Sequence, residues 1–361
     1  MSDYFKVASS AGEYSVQIGN NLLQLQLEHK DQLIVLCDDF FAKVLHPHDL
    51  KCISINATES AKSFDQMERI IVELRDLGAN RKTRILALGG GVIQDIATFV
   101  GSVYMRGVKW NYIPTTLLGM VDSCIGGKSS INVGPYKNLI GNFYPPTSIF
   151  IDLQFISTLS TAQRAAGLLE AVKICFAHSG DAFDKYIEIN PLTDSDSEVF
   201  HQVIQLALTT KRWFIEIDEY DQKERLLLNY GHTFGHAIEG ACDFAIPHGI
   251  AVGMGVLVSI EFALSNHHFE KAPARILKLA SYVRALLSTV SDLPVWSRQI
   301  VVSELMDRFD SDKKHTDSHF CVIVPDTSGY LKRLLLEKSD ANRQLINSAL
   351  QKVCLGVPDE V

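Results

Sequence analysis

The sequence predicts an α/β N-terminal domain built on a mostly parallel sheet, followed by an all-α domain. Three observations carry that reading. Short β-rich runs alternate with helical patterns through the first half, strand signals fade after about residue 160, and long helical patterns take over from there. The change falls at 153–162, so the chain divides into 1–158 and 159–361.

Taken in order, the runs at 33–37 (LIVLC) and 51–55 read as strands, and SFDQMERIIVELRDLG at 63–78 as an amphipathic helix. ILAL leads into Gly89, Gly90 and Gly91 and then into VIQDIATFVGSVYMRG as a helix start. KWNYIP at 109–114 and SIFID at 148–152 are further strands, which completes the rhythm of βαβ units. The stretch from Pro114 to Asn142 has few predicted elements but is rich in Gly, Ser, Asn and Lys, a composition common in functional loops. In the second half TAQRAAGLLEAVKICFAH and DANRQLINSALQKV have helical periodicity. The apolar stretch from Gly249 to Leu264 is too short to span a bilayer and carries Glu261, so it reads as a buried helix.

Composition bounds the function. With 361 residues, 47% hydrophobic and 21% charged, the chain has the make-up of a soluble globular protein large enough for two domains, and disordered and collagen-like classes are excluded. Its seven cysteines are odd in number, scattered and free of C-x-x-C pairs, which suits a reducing cytoplasm. The start, MSDYFKVASS, has no basic and apolar signal segment. A net charge of −8 disfavours nucleic acid and anionic membranes as partners, and a phosphorylated substrate would need local cations against that field.

The densest chemical signal is NYGHTFGHAIEGACDFAIPH. It puts His232 and His236 one helical turn apart and His248 at a Pro-flanked turn twelve residues on. Neutral imidazole is a common metal ligand, and a catalytic metal would also want a carboxylate. Glu170 in GLLEAVK, with Lys173 at i+3, is one candidate, and Glu239, seven residues after His232, is another. Each alone also suits an ordinary helix surface. Three histidines within seventeen residues, in a chain with twelve, favour a metal site. The glycines after ILAL would let backbone N–H groups approach a pyrophosphate, although many tight βα turns look the same and the spacing is not G-x-G-x-x-G. Asp38 and Asp39 end a strand as ribose-binding carboxylates or as helix caps. Lys128, Lys137, Asn132, Asn138 and Arg106 suit an oxyanion cradle, or a solvated basic loop.

Together GGGVIQD, YMRG, PTTLLGMVDSCIGGKSSIN, KNLIG, GLLEAVK, LLNYGHTFGHAIE and PHGIAVGMG, in that order over about residues 33–255, resemble the motifs of 3-dehydroquinate synthase and its sugar phosphate cyclase relatives. The resemblance implies an NAD-binding α/β domain, a helical metal- and substrate-binding domain, and a homodimer. It implies Glu170, His232 and His248 as ligands of zinc, or of cobalt in its place, and leaves Glu239 to structure. NAD would be held by Asp38, Glu59, Lys62, Gly90, Gly91, Asp95, Thr115 and Thr116, with Asp122, Ser123, Lys137 and Thr158 near the nicotinamide. Lys128, Asn138, Asn229 and His236 would meet the substrate phosphate, joined by Arg106 from the partner subunit. Lys211 and Arg225 would meet the substrate carboxylate, and Lys173 the substrate near the metal. The implied reaction borrows hydride through NAD, eliminates phosphate, returns the hydride and closes a carbocycle by an intramolecular aldol step.

Some positions depart from that pattern. Gln94 stands for Gly in the glycine turn, Asp221 for Glu, and Ile250 for the Glu of HGEAV. Gly329-Tyr330 stands for Gly-Lys, with Lys332 as a substitute cation. Lys211, Arg225 and His236 favour an acidic phosphorylated substrate, 3-deoxy-D-arabino-heptulosonate 7-phosphate, over a neutral sugar phosphate. The alternatives are a paralogous cyclase of another sugar phosphate and a metal-dependent polyol dehydrogenase. The cations Arg106, Lys128, Lys211 and Arg225 argue against the dehydrogenase, because a neutral polyol needs none of them.

Overall fold

The computed structural model describes residues 3–28, 31–48, 50–134, 136–266 and 272–356. These form two compact units, 1–159 with 200–219, and 160–199 with 220–361.

The first unit runs β1 (Asp3–Val7), β2 (Tyr14–Gly19), α1 (Leu22–Leu27), β3 (Leu33–Asp38), α2 (Asp39–Leu45), β4 (Lys51–Ile55), α3 (Phe64–Asp76), β5 (Arg84–Gly89), α4 (Gly91–Val103), β6 (Trp110–Pro114), β7 (Ile131–Val133), β8 (Tyr136–Ile140) and β9 (Ser148–Asp152). Seven strands make one sheet in the order β1-β2-β9-β6-β5-β3-β4, parallel except for the β1–β2 hairpin. β3 and β5 are apolar on both faces because helices cover both sides of a parallel sheet. β3, β5 and β6 end in register, with Cys37 opposite Leu88 and Gly89 opposite Pro114. This alignment collects Asp38, the glycine turn and Thr115 along one carboxyl edge, where open α/β sheets bind ligands. The supposed loop from Pro114 to Asn142 holds the small β7–β8 hairpin.

In the second unit α5 (Thr161–Ala177) is followed by α6 (Ala182–Ile189). The next helix, α7 (Ser197–Ile217), places its residues from Phe200 onward in the first unit, where Glu216 and Glu219 accept the N–H groups of Ala8 and Ser10. The chain then forms α8 (His232–Ala241), α9 (His248–Ser265), α10 (Ala274–Ser288), α11 (Leu293–Ser297), α12 (Leu305–Asp310), β10 (His319–Pro325), β11 (Leu331–Glu337) and α13 (Asp340–Cys354). The unit is therefore helical but not all-α, since β10 and β11 pair antiparallel. α9 is the apolar stretch read from sequence, and it is buried among α5, α8, α10 and α13.

Small residues set the distance between α8 and α9. A Cβ at Gly235 would lie 2.9 Å from the Ala251 carbonyl oxygen, and one at Gly255 would collide with Gly231 O. Gly231 also has φ +77, the left-handed region that favours glycine. The backbones can therefore approach closely, and the imidazoles carried by the two helices meet. Gly235→Ala is expected to push α8 off α9, with a loss of about 1–3 kcal/mol in stability and a fall in bound metal. Thermal melts and metal analysis check this, and an unchanged melting temperature would contradict the packing argument.

Candidate active site

In the first unit the glycine turn is tight on one side and open on the other. A Cβ at Gly90 would lie 2.9 Å from Thr116 Cγ2, whereas one at Gly91 would meet nothing within 4 Å. Among the described residues no side chain caps the start of α4, an arrangement that suits a ligand at its first amides. Asp38 caps α2, its carboxylate accepting from Phe40 N at 3.1 Å, which is the capping role left open in the sequence. Thr115 is buried. Thr116 Oγ1 accepts from Gly119 N at 3.2 Å.

Four of the expected residues form one polar cluster. Lys62 Nζ lies 3.0 Å from Asp95 Oδ2, 3.1 Å from Glu59 Oε1 and 3.4 Å from Asn138 Oδ1. Ser130 N donates to Asp95 Oδ1 at 3.1 Å, and Asn138 N donates to Asn132 Oδ1 at 2.8 Å. Burial raises the Asp95 carboxyl to about 6, although Lys62 pulls the other way.

A second group sits on the π-helical turn Gly119–Ser123. Buried Lys211 lies 2.6 Å from Asp122 Oδ1 and donates to Asp122 O at 2.6 Å. Gln94 bonds Ser123. Lys128 lies 5.8 Å over the Phe143 ring, Lys137 is exposed on β8, and the Thr158 hydroxyl donates to Phe155 O at 2.7 Å. Arg106 is exposed within three consecutive left-handed residues, Met105 (φ 48), Arg106 (φ 65) and Gly107 (φ 117).

The second unit brings its histidines onto one carboxylate. Glu170 is fully buried on α5, with Lys173 Nζ 2.6 Å from its Oε2. Its Oε1 faces His232 Nε2 at 3.7 Å and His248 Nε2 at 3.6 Å, and accepts no hydrogen bond from the described residues. Those gaps are too long for hydrogen bonds. They suit three ligand atoms around one ion, all within 4.8 Å of one another. A carboxylate with two imidazoles is a known catalytic zinc donor set, so the residues fit the metal.

The supports fit as well. His232 Nδ1 lies 3.3 Å from Tyr230 O, and His248 Nδ1 lies 3.2 Å from each Glu239 oxygen, leaving both Nε2 atoms to face Glu170. Burial, then Lys173 and the other imidazoles, push His232 well below its ordinary pKa, so it is held in the neutral form that binds metals. Burial also lowers His248, but Glu239 and Glu170 outweigh it and raise the ring to about 9. The acidic surroundings that favour a proton there would equally favour a metal cation. His236, Glu239 and His248 also lie close enough to share an ion. That grouping is the weaker one, because both Glu239 oxygens already face His248 Nδ1.

His236 stacks on His248 at 5.7 Å and presents Nδ1 to Asp312 Oδ2 at 3.8 Å. Asp312 is in turn bound by Lys314 Nζ at 2.9 Å. Sequence reasoning missed Asp312 and Lys314, whose only signal was the charged run DSDKKH. It had also set Glu239 aside as structural, without its bond to His248. Arg225 is buried and Asn229 half-buried on the 3-10 turn Glu224–Asn229. Tyr330 stands 5.0 Å from the Arg275 guanidinium, and Lys314 is the cation on the Asp312 carboxylate that faces His236.

Residues 52–166 match the family model for the 3-dehydroquinate synthase N-terminal region, and 167–315 the model for the C-terminal region. The chain is 35% identical to the 3-dehydroquinate synthase of Idiomarina loihiensis, across 90% of this chain and 94% of that protein. It is 37% identical to that of Dictyoglomus thermophilum, across 88% and 90%. Its fold matches the crystal structure of a 2-deoxy-scyllo-inosose synthase complexed with carbaglucose-6-phosphate, NAD+ and Co2+. The TM-score is 0.84 at 21% identity, covering 97% of this chain and 100% of that one.

Two predictions follow from this geometry. Glu239→Ala is expected to weaken metal binding about 10–100-fold by freeing the His248 ring, read by competition with a chelator; unchanged affinity would remove Glu239 from the site. Asp95 is raised when folded, so the native state binds its proton more readily than the unfolded state does. Its contribution to stability therefore grows as pH falls from about 6 towards 3.8. Denaturant melts of wild type minus Asp95→Asn should show that rise, and a flat difference would contradict it.

Proposed function

This chain belongs to the 3-dehydroquinate synthase family, and from that premise we propose that it converts 3-deoxy-D-arabino-heptulosonate 7-phosphate to 3-dehydroquinate with loss of phosphate, using NAD and a divalent metal, zinc or cobalt. The observation that carries this reading is the buried Glu170 carboxylate with His232 and His248 turned onto its unbonded oxygen. The glycine turn at an uncapped helix start supports the nucleotide half.

When bound, NAD supplies a transient hydride acceptor and the metal polarises the reacting carbinol. The chain's residues bind, orient and hold charge around them. Glu170, His232 and His248 would hold the metal, with Glu239 fixing His248. Asp38, Glu59, Lys62, Gly90, Gly91, Asp95, Thr115 and Thr116 would hold NAD, and Asp122, Ser123, Lys137 and Thr158 its nicotinamide side. Lys173, anchored at Glu170, would meet the substrate beside the metal. Lys128, Asn138, Asn229 and His236 would receive the phosphate as negative charge builds on the departing group, a task suited to preplaced donors. Asp312, 3.8 Å from Nδ1, sets a carboxylate beside the His236 ring. Lys211 and Arg225 would take the carboxylate, a group that a neutral sugar phosphate lacks.

Arg106 would act across a homodimer. Its left-handed backbone and the exposed Val103 and Met105 beside it support an interface there. Seven free cysteines are consistent with a cytoplasmic location.

The test is incubation of the metal-loaded protein with NAD and the acidic seven-carbon phosphate, following phosphate, NADH absorbance and carbocycle by NMR. Light scattering on the same preparation reads the dimer. Phosphate and dehydroquinate without net NADH are expected. Turnover of a different sugar phosphate alone would identify a paralogue, and accumulating NADH would identify a dehydrogenase.

A further inference from the structure

Gln94 departs from the family's glycine turn, and none of the roles above accounts for it. It lies in the first turn of α4, 4% exposed, where a long polar side chain must be hydrogen-bonded or destabilise the fold. Both ends of its amide bond a single residue: Nε2 donates to Ser123 O at 2.7 Å, and Ser123 Oγ donates to Gln94 Oε1 at 2.6 Å.

The pair has only one consistent proton arrangement. A backbone carbonyl can only accept, so the atom facing Ser123 O must be the NH2 group, and the atom facing the hydroxyl must be Oε1. The serine proton is thereby committed to Gln94, and the remaining lone pairs of Oγ can only accept. Ser123 is half-buried, so a ligand can reach it. The same turn is held a second time, by Lys211 on Asp122.

We propose that Gln94 is a positioning and specificity-determining residue that locks the Ser123 hydroxyl as an obligate acceptor, so that this position selects a ligand group with an N–H to give: the carboxamide of the nicotinamide ring. The inference rests on the proposed placement of Ser123 beside the nicotinamide. An alanine or glycine at 94 would leave the serine free to rotate and present its own proton, and the selection would disappear.

The experiment compares NAD with 3-acetylpyridine adenine dinucleotide, whose acetyl group has no N–H. Binding is read by titration calorimetry on the full-length, metal-loaded protein, with melting temperatures to check folding. Wild type should prefer NAD by roughly 3–10-fold, the worth of one neutral hydrogen bond. Gln94→Leu, which keeps volume but makes neither bond, should lose that preference, and so should Ser123→Ala. The double variant should match Ser123→Ala alone, because Gln94 acts only through Ser123. Gln94→Glu still accepts the serine proton and should keep the preference even at lower stability, which separates the direction of the hydrogen bond from mere filling of space. If Gln94→Leu keeps the preference while Ser123→Ala loses it, the inference about Gln94 is overturned and the placement of Ser123 stands. If Ser123→Ala binds both dinucleotides as wild type does, the placement of Ser123 is wrong and the inference falls with it.

Discussion

The second unit is organised around one buried negative charge. Glu170 is fully enclosed on α5, and a carboxylate removed from water without compensation is severely destabilising. Lys173, one turn on, answers Oε2, while Oε1 faces two imidazole nitrogens at distances too long for hydrogen bonds. The negative charge is thus answered within the helix, while Oε1, without a hydrogen bond from the described residues, is left between two imidazole nitrogens, a donor set that suits an ion. The closeness of α8 and α9 follows as a requirement, because His232 and His248 start the two helices and must converge on a point. Glycines meet that requirement. A Cβ at Gly249 would collide with the Ala166 carbonyl of α5, as one at Gly255 would with Gly231.

The first unit handles charge differently. Lys62 and Lys211 are both buried cations, and each is paired with a carboxylate, Asp95 or Asp122, before any ligand arrives. Such pairs add little net stability, since desolvation offsets attraction, but they fix where the charged groups stand. A dinucleotide would then meet an ordered array of donors and acceptors, with the uncapped amides of α4 supplying the attraction for phosphate. Such an array would offer an anion local donors in a chain of net charge −8.

How much could be read in advance follows from which interactions are local. β3, β5, β6, β9 and the helices from α3 to α5 are written in short-range hydrophobic patterns, and the i,i+4 histidines in plain spacing. β11 was not legible because LKRLLLE is half-exposed and charged, and β7 is only three residues long. β1 alternates intermediate and exposed positions and gains its place by pairing with β2. The bond from Glu239 to His248 exists only once α8 folds back on α9, so its spacing from His232 reads equally well as a ligand. Asp312 reaches His236 across 76 positions of chain, and no local pattern signals that.

The departures from the family pattern sit around the candidate ligands, not on them. Ile250 is fully buried in the first turn of α9, two residues after His248. Tyr330 is spent on Arg275, and Asp221 holds a left-handed turn at φ 61. Gln94 bonds Ser123, one of the candidate cofactor residues, and is not itself one of them. Changes of this kind leave the chemical groups in place and alter how firmly, and with which proton arrangement, they are held. The reaction class therefore follows from the groups, while the tuning of cofactor preference proposed for Gln94 acts from behind them. Hydrogen-bond direction is the sharpest form that narrowing can take, because a reversed donor leaves a buried polar atom unpaired, whereas a small change of shape can be relaxed away.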